Sequence, residues 1–274
     1  MSSIAEQAIR EGQLEEALAV VQDAVRGQPA KTEHRISLFQ LLAVTGEWPK
    51  ALRQLNVLSD LDPKMELLSA TYRQLIACEA VRGAVFEGQR APLCLGDPPD
   101  WYARLVEALR FDSAGEHAAA KELRDEAFAA AEPTSGRLDD DPFAWLADAD
   151  ERLGPVLEAV VGGRYFWIPF ARVRRIELDE PEDLRDLVWL SARLTWANSG
   201  EAVAFLPVRY CGSEREPDPM LRLGRRTEWR QLGSGSWCGF GQRMLATDRA
   251  EYALLDSRDI ALDTGSDEVA TDDA

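Results

Sequence analysis

The sequence predicts an α+β protein, with tetratricopeptide-like helix pairs at the N-terminus followed by a strand-rich, mixed C-terminal domain. Three observations carry that prediction. In the first half, apolar residues recur every three or four positions and alanine is abundant, which is the pattern of one buried helix face. A set of Gly, Ala and Pro positions repeats there at a helix-pair period. Beyond Gly162 the pattern becomes alternation, Tyr165, Trp167 and Pro169 against Phe166, Ile168 and Phe170, as in a strand. The change falls within the stretch Asp141–Phe170, where Leu146, Ala149, Leu153 and Val156 still keep helical spacing. We place the helical repeats at 1–131, a linker at 132–141, the strand-rich domain at 142–263 and an acidic disordered tail at 264–274.

The repeat comes first along the chain. Gly12-x-Leu14-x-x-Ala17-Leu18 precedes Pro29, and Gly46-x-Trp48-x-x-Ala51-Leu52 precedes Pro63. From position 12 to position 46 the offset is 34, the period of tetratricopeptide helix pairs. Each glycine belongs in the turn inside a pair, and each alanine belongs where two helices approach closely. Each proline stops the second helix, because it lacks an N–H and clashes with the preceding turn. Leu67 to Val85 reads as helix, Gly88 to Pro99 as loop, and helical spacing returns at Trp101, Leu105, Ala108 and Leu109. Gly115-Glu116 then makes a turn before a last helix that runs to Ala131, with Pro133 beyond it. Glu132 to Asp141 is polar, with Pro and Gly, and reads as the linker; Asp141-Pro142 suits a helix N-cap followed by proline.

In the second half, Gly162-Gly163 separates two apolar runs, Val156–Val161 and Arg164–Pro169. It predicts a two-residue hairpin turn, since glycine takes positive φ without a Cβ clash. Val173, Ile176 and Leu178 form a further strand among arginines. An acidic turn at Glu180 leads into alternation through Leu190, Ala192, Leu194 and Trp196. Asn198-Ser199-Gly200 is a turn, Ala202–Val208 a strand and Gly212 to Pro219 a loop. Arg222–Trp229 is ambiguous, and Met244 lies in a strand or short helix. Six of the eight tryptophans stand at or after Trp145, which supplies this half with aromatic surface to bury.

Composition narrows the function. With 274 residues, 46% hydrophobic and 29% charged, the chain has material for two cores. A net charge of −17 disfavours nucleic acid as a partner and suits basic protein partners. No apolar run reaches the ~18 residues of a membrane span, and the N-terminus lacks the pattern of a signal peptide, so we expect a cytoplasmic protein without membrane contact. Cys78, Cys94, Cys211 and Cys238 are widely spaced and read as reduced thiols. With His34 and His117 the only histidines, no zinc site is expected.

No catalytic set holds together, and no cofactor is expected. Gly233–Gly241 is glycine-rich but is not followed by Lys-Ser or Lys-Thr, so it reads as a loop or sheet bend rather than a phosphate cradle. None of the four lysines, Lys31, Lys50, Lys64 and Lys121, lies in the second half, which removes Schiff-base chemistry there. Asp179, Glu182 and Asp183 are the carboxylates a hydrolase reading would use. Arg222, Arg225, Arg226 and Arg230 could contact an anion, although salt bridges to the chain's own acids are simpler.

Several ordered blocks resemble one family. They are Trp145-Leu146-Ala147-Asp148-Ala149-Asp150-x-Arg152-Leu153-Gly154-Pro155-Val156-Leu157-Glu158 and Gly163-Arg164-Tyr165-x-Trp167-Ile168-Pro169-Phe170. Pro181-x-Asp183-Leu184-Arg185-Asp186-Leu187-Val188-Trp189, Arg225-Arg226-Thr227-Glu228-Trp229 and Gly241-Gln242-Arg243-Met244-Leu245 follow, with Arg90-Ala91-Pro92-Leu93 in the helical half. Together they resemble the ImpE/SciE/TagJ family of accessory proteins of bacterial type VI secretion systems. The resemblance runs through about Asp263. It implies a non-enzymatic cytoplasmic protein that binds the contractile sheath through the N-terminal helix of its small subunit. It also implies an influence on sheath assembly or recycling, indirectly alongside the recycling AAA+ ATPase. For the contact surface we look to the helical repeats near Trp48 and Trp101, or to the seam between the halves. Two other readings stand beside this one: a repeat scaffold or chaperone adaptor for another client, and a carboxylate-dependent hydrolase.

Overall fold

The computed structural model describes residues 3–233 and 235–264. Beyond Thr264, the expected acidic tail lies outside them. The chain is α+β, with its long helices first and its strands after. Helices α1 (Ser3–Arg10) and α2 (Leu14–Gly27) form one antiparallel pair, and α3 (Thr32–Val44) and α4 (Trp48–Leu61) the next. Gly12 and Gly46 occupy the two inner turns with φ of 77° and 69°, and Ala17 and Ala51 are fully buried between helices. Helix α5 (Glu66–Phe86) is the longest and has no inner turn of its own. Strand β1 (Leu93–Cys94), α6 (Asp100–Ser113) and α7 (His117–Ala130) complete the helical half.

Two readings of the joint differ from the structure. Residues 132–141 are not only a linker, since they contain strand β2 (Gly136–Leu138) and the first residue of β3 (Asp141–Phe143). The helical spacing at 146–156 does not make a helix: β4 (Leu146–Asp148) leads into a turn and then β5 (Val156–Val161). The reason lies in the side chains. The Asp148 carboxylate accepts from the Asp150 N–H at 2.9 Å, and the Asp150 carboxylate accepts from the Arg152 N–H at 2.9 Å. Local aspartate bonds of this kind compete with helix formation. Asp141-Pro142 likewise lies in a strand, paired with Arg137 and Leu138, rather than at a helix N-cap.

The remaining strands are β6 (Arg164–Pro169), β7 (Val173–Leu178), β8 (Trp189–Trp196), β9 (Glu201–Pro207), β10 (Thr227–Gln231), β11 (Trp237–Gly241), β12 (Met244–Thr247), β13 (Glu251–Ala253) and β14 (Asp259–Leu262). A one-turn helix α8 (Pro219–Arg222) precedes β10. Gly162-Gly163 makes the expected hairpin, pairing Val161 with Arg164. The main sheet has nine strands in the order β1-β6-β5-β9-β8-β7-β14-β2-β3. It begins with a strand from the helical half, β1, which pairs in parallel with β6 through Leu93↔Phe166 and Cys94↔Trp167. A small sheet, β13-β12-β4, and the hairpin β10-β11 lie beside it.

Period-2 geometry divides the core in two. On one face of the sheet, Val156, Val160, Tyr165, Trp167 and Trp189 join Phe39, Tyr72, Ile76 and Leu105 of the helices in a continuous core. On the other face, Leu157, Ala159, Ile168, Leu190 and Leu206 pack with Leu146, Leu245, Leu254 and Ile260. The helices therefore do not merely precede the sheet; they cover one of its faces.

Candidate docking site

Charged side chains fasten the seam between helices and sheet, and several of them, Asp148, Asp150, Glu158 and Arg243, come from the ordered sequence blocks. Glu158 lies on β5 between Val156 and Val160, on the face the helices cover, and is fully buried. It accepts from Arg82 of α5 at 2.5 Å and 3.1 Å, and from Arg243 and the Tyr165 hydroxyl. Trp167 Nε1 donates to the Tyr165 hydroxyl at 2.7 Å. Arg243, also fully buried, reaches Asp148 with its other terminal nitrogen and donates from Nε to the Pro207 carbonyl at 2.8 Å. Burial alone pushes the Glu158 carboxyl up, but Arg82 and Arg243 more than offset this and hold it down at about 2. Asp148 is pushed up to about 6 by burial, against the pull of Arg243 and with the help of the neighbouring Asp150 and Glu158 carboxylates.

Further bonds tie individual helices down. Trp189 Nε1 donates to Glu79 of α5 at 2.8 Å. Buried Arg209 donates to the Val44 carbonyl at 2.6 Å and caps the C-terminus of α3, where a cation suits the helix dipole. Arg124 of α7 donates to Asp112 at 2.5 Å and to the buried Ser236 hydroxyl at 3.1 Å, which holds the β10-β11 turn against the last helix pair. Most of these groups satisfy one another inside the protein, although Arg124 Nε has no hydrogen-bond partner.

Where the seam reaches the surface it opens into a groove. One hollow of about 350 Å³ runs between Phe128, Ala131 and Pro133 at the end of α7 and Trp145, Leu146 and Ala147 of the β4 segment. A second, of about 550 Å³, is lined by Trp101, Ala130, Pro169, Phe170 and Arg172; the two share Glu132, Leu146 and Pro155 as common walls. Trp145 remains 38% exposed on this wall, an unusual position for a ring of its size.

The residues read from the sequence are distributed unevenly about these features. Trp101 forms a wall of the groove, although it is only 9% exposed and contacts Tyr102 at 6.2 Å. Trp48 lies elsewhere, its ring 5.7 Å from that of Trp189 and tilted by 40°, bordering a separate hollow with Glu79, Gly83 and Glu87. Asp183 caps the 3-10 turn Leu184–Leu187 and pairs with Arg185 at 2.7 Å, while Asp179 and Glu182 are exposed. Of the arginine cluster, Arg222 pairs with Glu15 at 3.0 Å, Arg226 with Asp218 and Glu228, and Arg230 with Glu216 at 2.5 Å. Arg225 instead donates to the Ile9 and Arg10 carbonyls that end α1. The described residues of the glycine-rich segment belong to the β10-β11 turn and strand β11.

Trp145 and the buried charges were not singled out by periodicity. One signal for Glu158 was present: a carboxylate between two valines on the inward face of an alternating strand has to be buried and paired.

Comparison with known proteins adds three findings. A family model described as ImpE protein matches residues 140–261. A curated relative, the type VI secretion system accessory component TagJ of Pseudomonas aeruginosa, is 48% identical over 260 residues, covering 95% of this chain and 91% of the relative. A crystal structure of a Vibrio parahaemolyticus protein superposes with a TM-score of 0.86 at 24% identity, covering 94% of this chain and 97% of that one, and so shares the fold.

Proposed function

The chain belongs to the ImpE family, and from that premise we propose that it is a binding protein of the type VI machinery whose seam groove receives the N-terminal helix of the small sheath subunit. Its accessory role in type VI secretion follows from the family and from the relative's name. The sheath helix, and through it an indirect influence on ATPase-driven recycling, is the finer part of the proposal. Among the described residues no helix is long and apolar enough to cross a membrane, and no cluster of His, Cys, Asp or Glu is placed to hold a metal ion.

The observation that carries this reading is the exposed Trp145 on the wall of a largely apolar hollow that adjoins a second one. An amphipathic helix lays its apolar stripe into such a groove and anchors through a few large side chains. Phe128, Leu146, Pro155 and Phe170 supply complementary apolar surface, and Glu132 and Glu151 a polar rim. A helix with basic residues on its outer face would find the acidic balance of the chain favourable for encounter.

The test is titration of the full chain with a synthetic peptide of the sheath subunit's first helix. Trp145→Ala should weaken binding by about thirtyfold, as expected for an aromatic anchor worth about 2 kcal/mol. A sheath subunit lacking that helix should not be retained in a pull-down. Undiminished binding in both experiments would remove the proposal.

A further inference from the structure

A second cleft shares no lining residue with the seam groove. It holds about 550 Å³ between α1, α3 and the turn that begins at Leu184. Four carboxylates line it, those of Glu6, Glu33, Glu182 and Asp183, over an apolar floor of Ile9, Ile36 and Leu184. The cation on its wall, Arg10, is turned onto the Gln7 side chain at 2.8 Å. Asp183 is matched by Arg185, whereas the Glu33 and Glu182 carboxylates make no ion pair among the described residues.

The floor carries a second, independent feature. Gln40 of α3 is only 4% exposed and lines the cleft, and its side-chain amide hydrogen-bonds no described residue. Its polar atoms are not sealed from solvent, so they face the cleft and can exchange water for a ligand there. It presents both a donor and an acceptor, which together match the C=O and N–H of one peptide unit. Those backbone groups are free in an extended segment and already used in a helix.

We propose that this cleft docks an extended, basic segment of a partner protein, with Arg or Lys side chains against Glu33 and Glu182, apolar side chains on Ile9, Ile36 and Leu184, and one peptide unit paired with Gln40. It is a contact additional to the seam groove and does not rest on it.

The experiment uses the full chain and fluorescent hexapeptides, capped at both ends, composed of Arg and Leu, Ser and Leu, or Glu and Leu. The Arg–Leu peptide should bind, and the Glu–Leu peptide should not. Glu33→Gln combined with Glu182→Gln should weaken the Arg–Leu peptide about tenfold. The same charge change at the exposed Glu122 and Glu251 should leave it unaltered. Gln40→Leu, which keeps the net charge, should weaken binding severalfold, as should N-methylation of the peptide backbone. Circular dichroism checks that each variant remains folded. Equal loss in the Glu122/Glu251 control, no loss at Glu33/Glu182, or indifference to Gln40 would each overturn the proposal. Trp145→Ala should not affect this titration, so failure here and failure at the seam groove are distinguishable.

Discussion

Glu158 is the residue on which the greatest electrostatic cost and gain converge. A carboxylate with no solvent exposure is tolerated because Arg82 and Arg243 flank it and Tyr165 donates to it. Removing one member of such a set leaves uncompensated charge in the core. Glu158→Gln should therefore destabilise the protein by about 3–5 kcal/mol, read from urea denaturation at neutral pH. The same residue sets part of the acid sensitivity. Its carboxyl is held at about 2 in the folded chain against an ordinary 4.5. A depressed carboxyl contributes stability above its unfolded value and loses it as pH falls towards its folded one. Stability should thus decline by about 3 kcal/mol between pH 4.5 and 2 on account of this residue. That portion of the decline should be missing in Glu158→Gln, whereas an unchanged acid limb would assign the titration elsewhere.

At the scale of elements, the turn between β4 and β5 joins the core to the groove. Gly154 there has φ of 53°, and an added Cβ would come within 2.3 Å of the Phe128 ring. The left-handed backbone alone costs a substituted residue about 1–2 kcal/mol, and the clash must also push a groove wall. Gly154→Ala should lower stability by about 2 kcal/mol or more in a denaturant titration and weaken the sheath peptide at the seam. Wild-type binding with lowered stability would show that Phe128 is not part of the contact. The helix pairs are simpler, because the two inner glycine turns and the two buried alanines recur in the sequence as they recur in space.

For the whole molecule, helices and sheet share one core. Tyr72 of α5 lies 5.9 Å from Trp189, and Phe86 lies 5.9 Å from Trp167. Cutting the chain at 131 would expose these faces of α5 and take Glu158 from Arg82, which is buried in the intact chain and would keep only Glu79 as an ion-pair partner. We expect the full chain to unfold in a single calorimetric transition, and residues 1–131 expressed alone to lack a cooperative one. Two resolved transitions in the intact protein would show instead that each half is stable by itself.

The sequence by itself determined the order of classes, helices then strands, and the 34-residue helix-pair repeat. It also determined the hairpin at Gly162-Gly163 and the strand that alternates through Leu190, Ala192, Leu194 and Trp196. These follow from local periodicity and turn chemistry, which act over a few residues. Only the tertiary structure decided that the supposed linker is part of the sheet, that β1 leaves the helical half to join β6, and that residues 146–156 form a strand and turn despite helical spacing. It alone placed Trp101 on the seam groove and Trp48 away from it. Apart from the local aspartate bonds that keep 148–152 out of a helix, those outcomes depend on partners distant in the chain, as with Arg243 and Asp148. A hydrogen bond or ion pair formed across such a separation leaves no period in the sequence, because its energy comes from burial that exists only once the chain is folded.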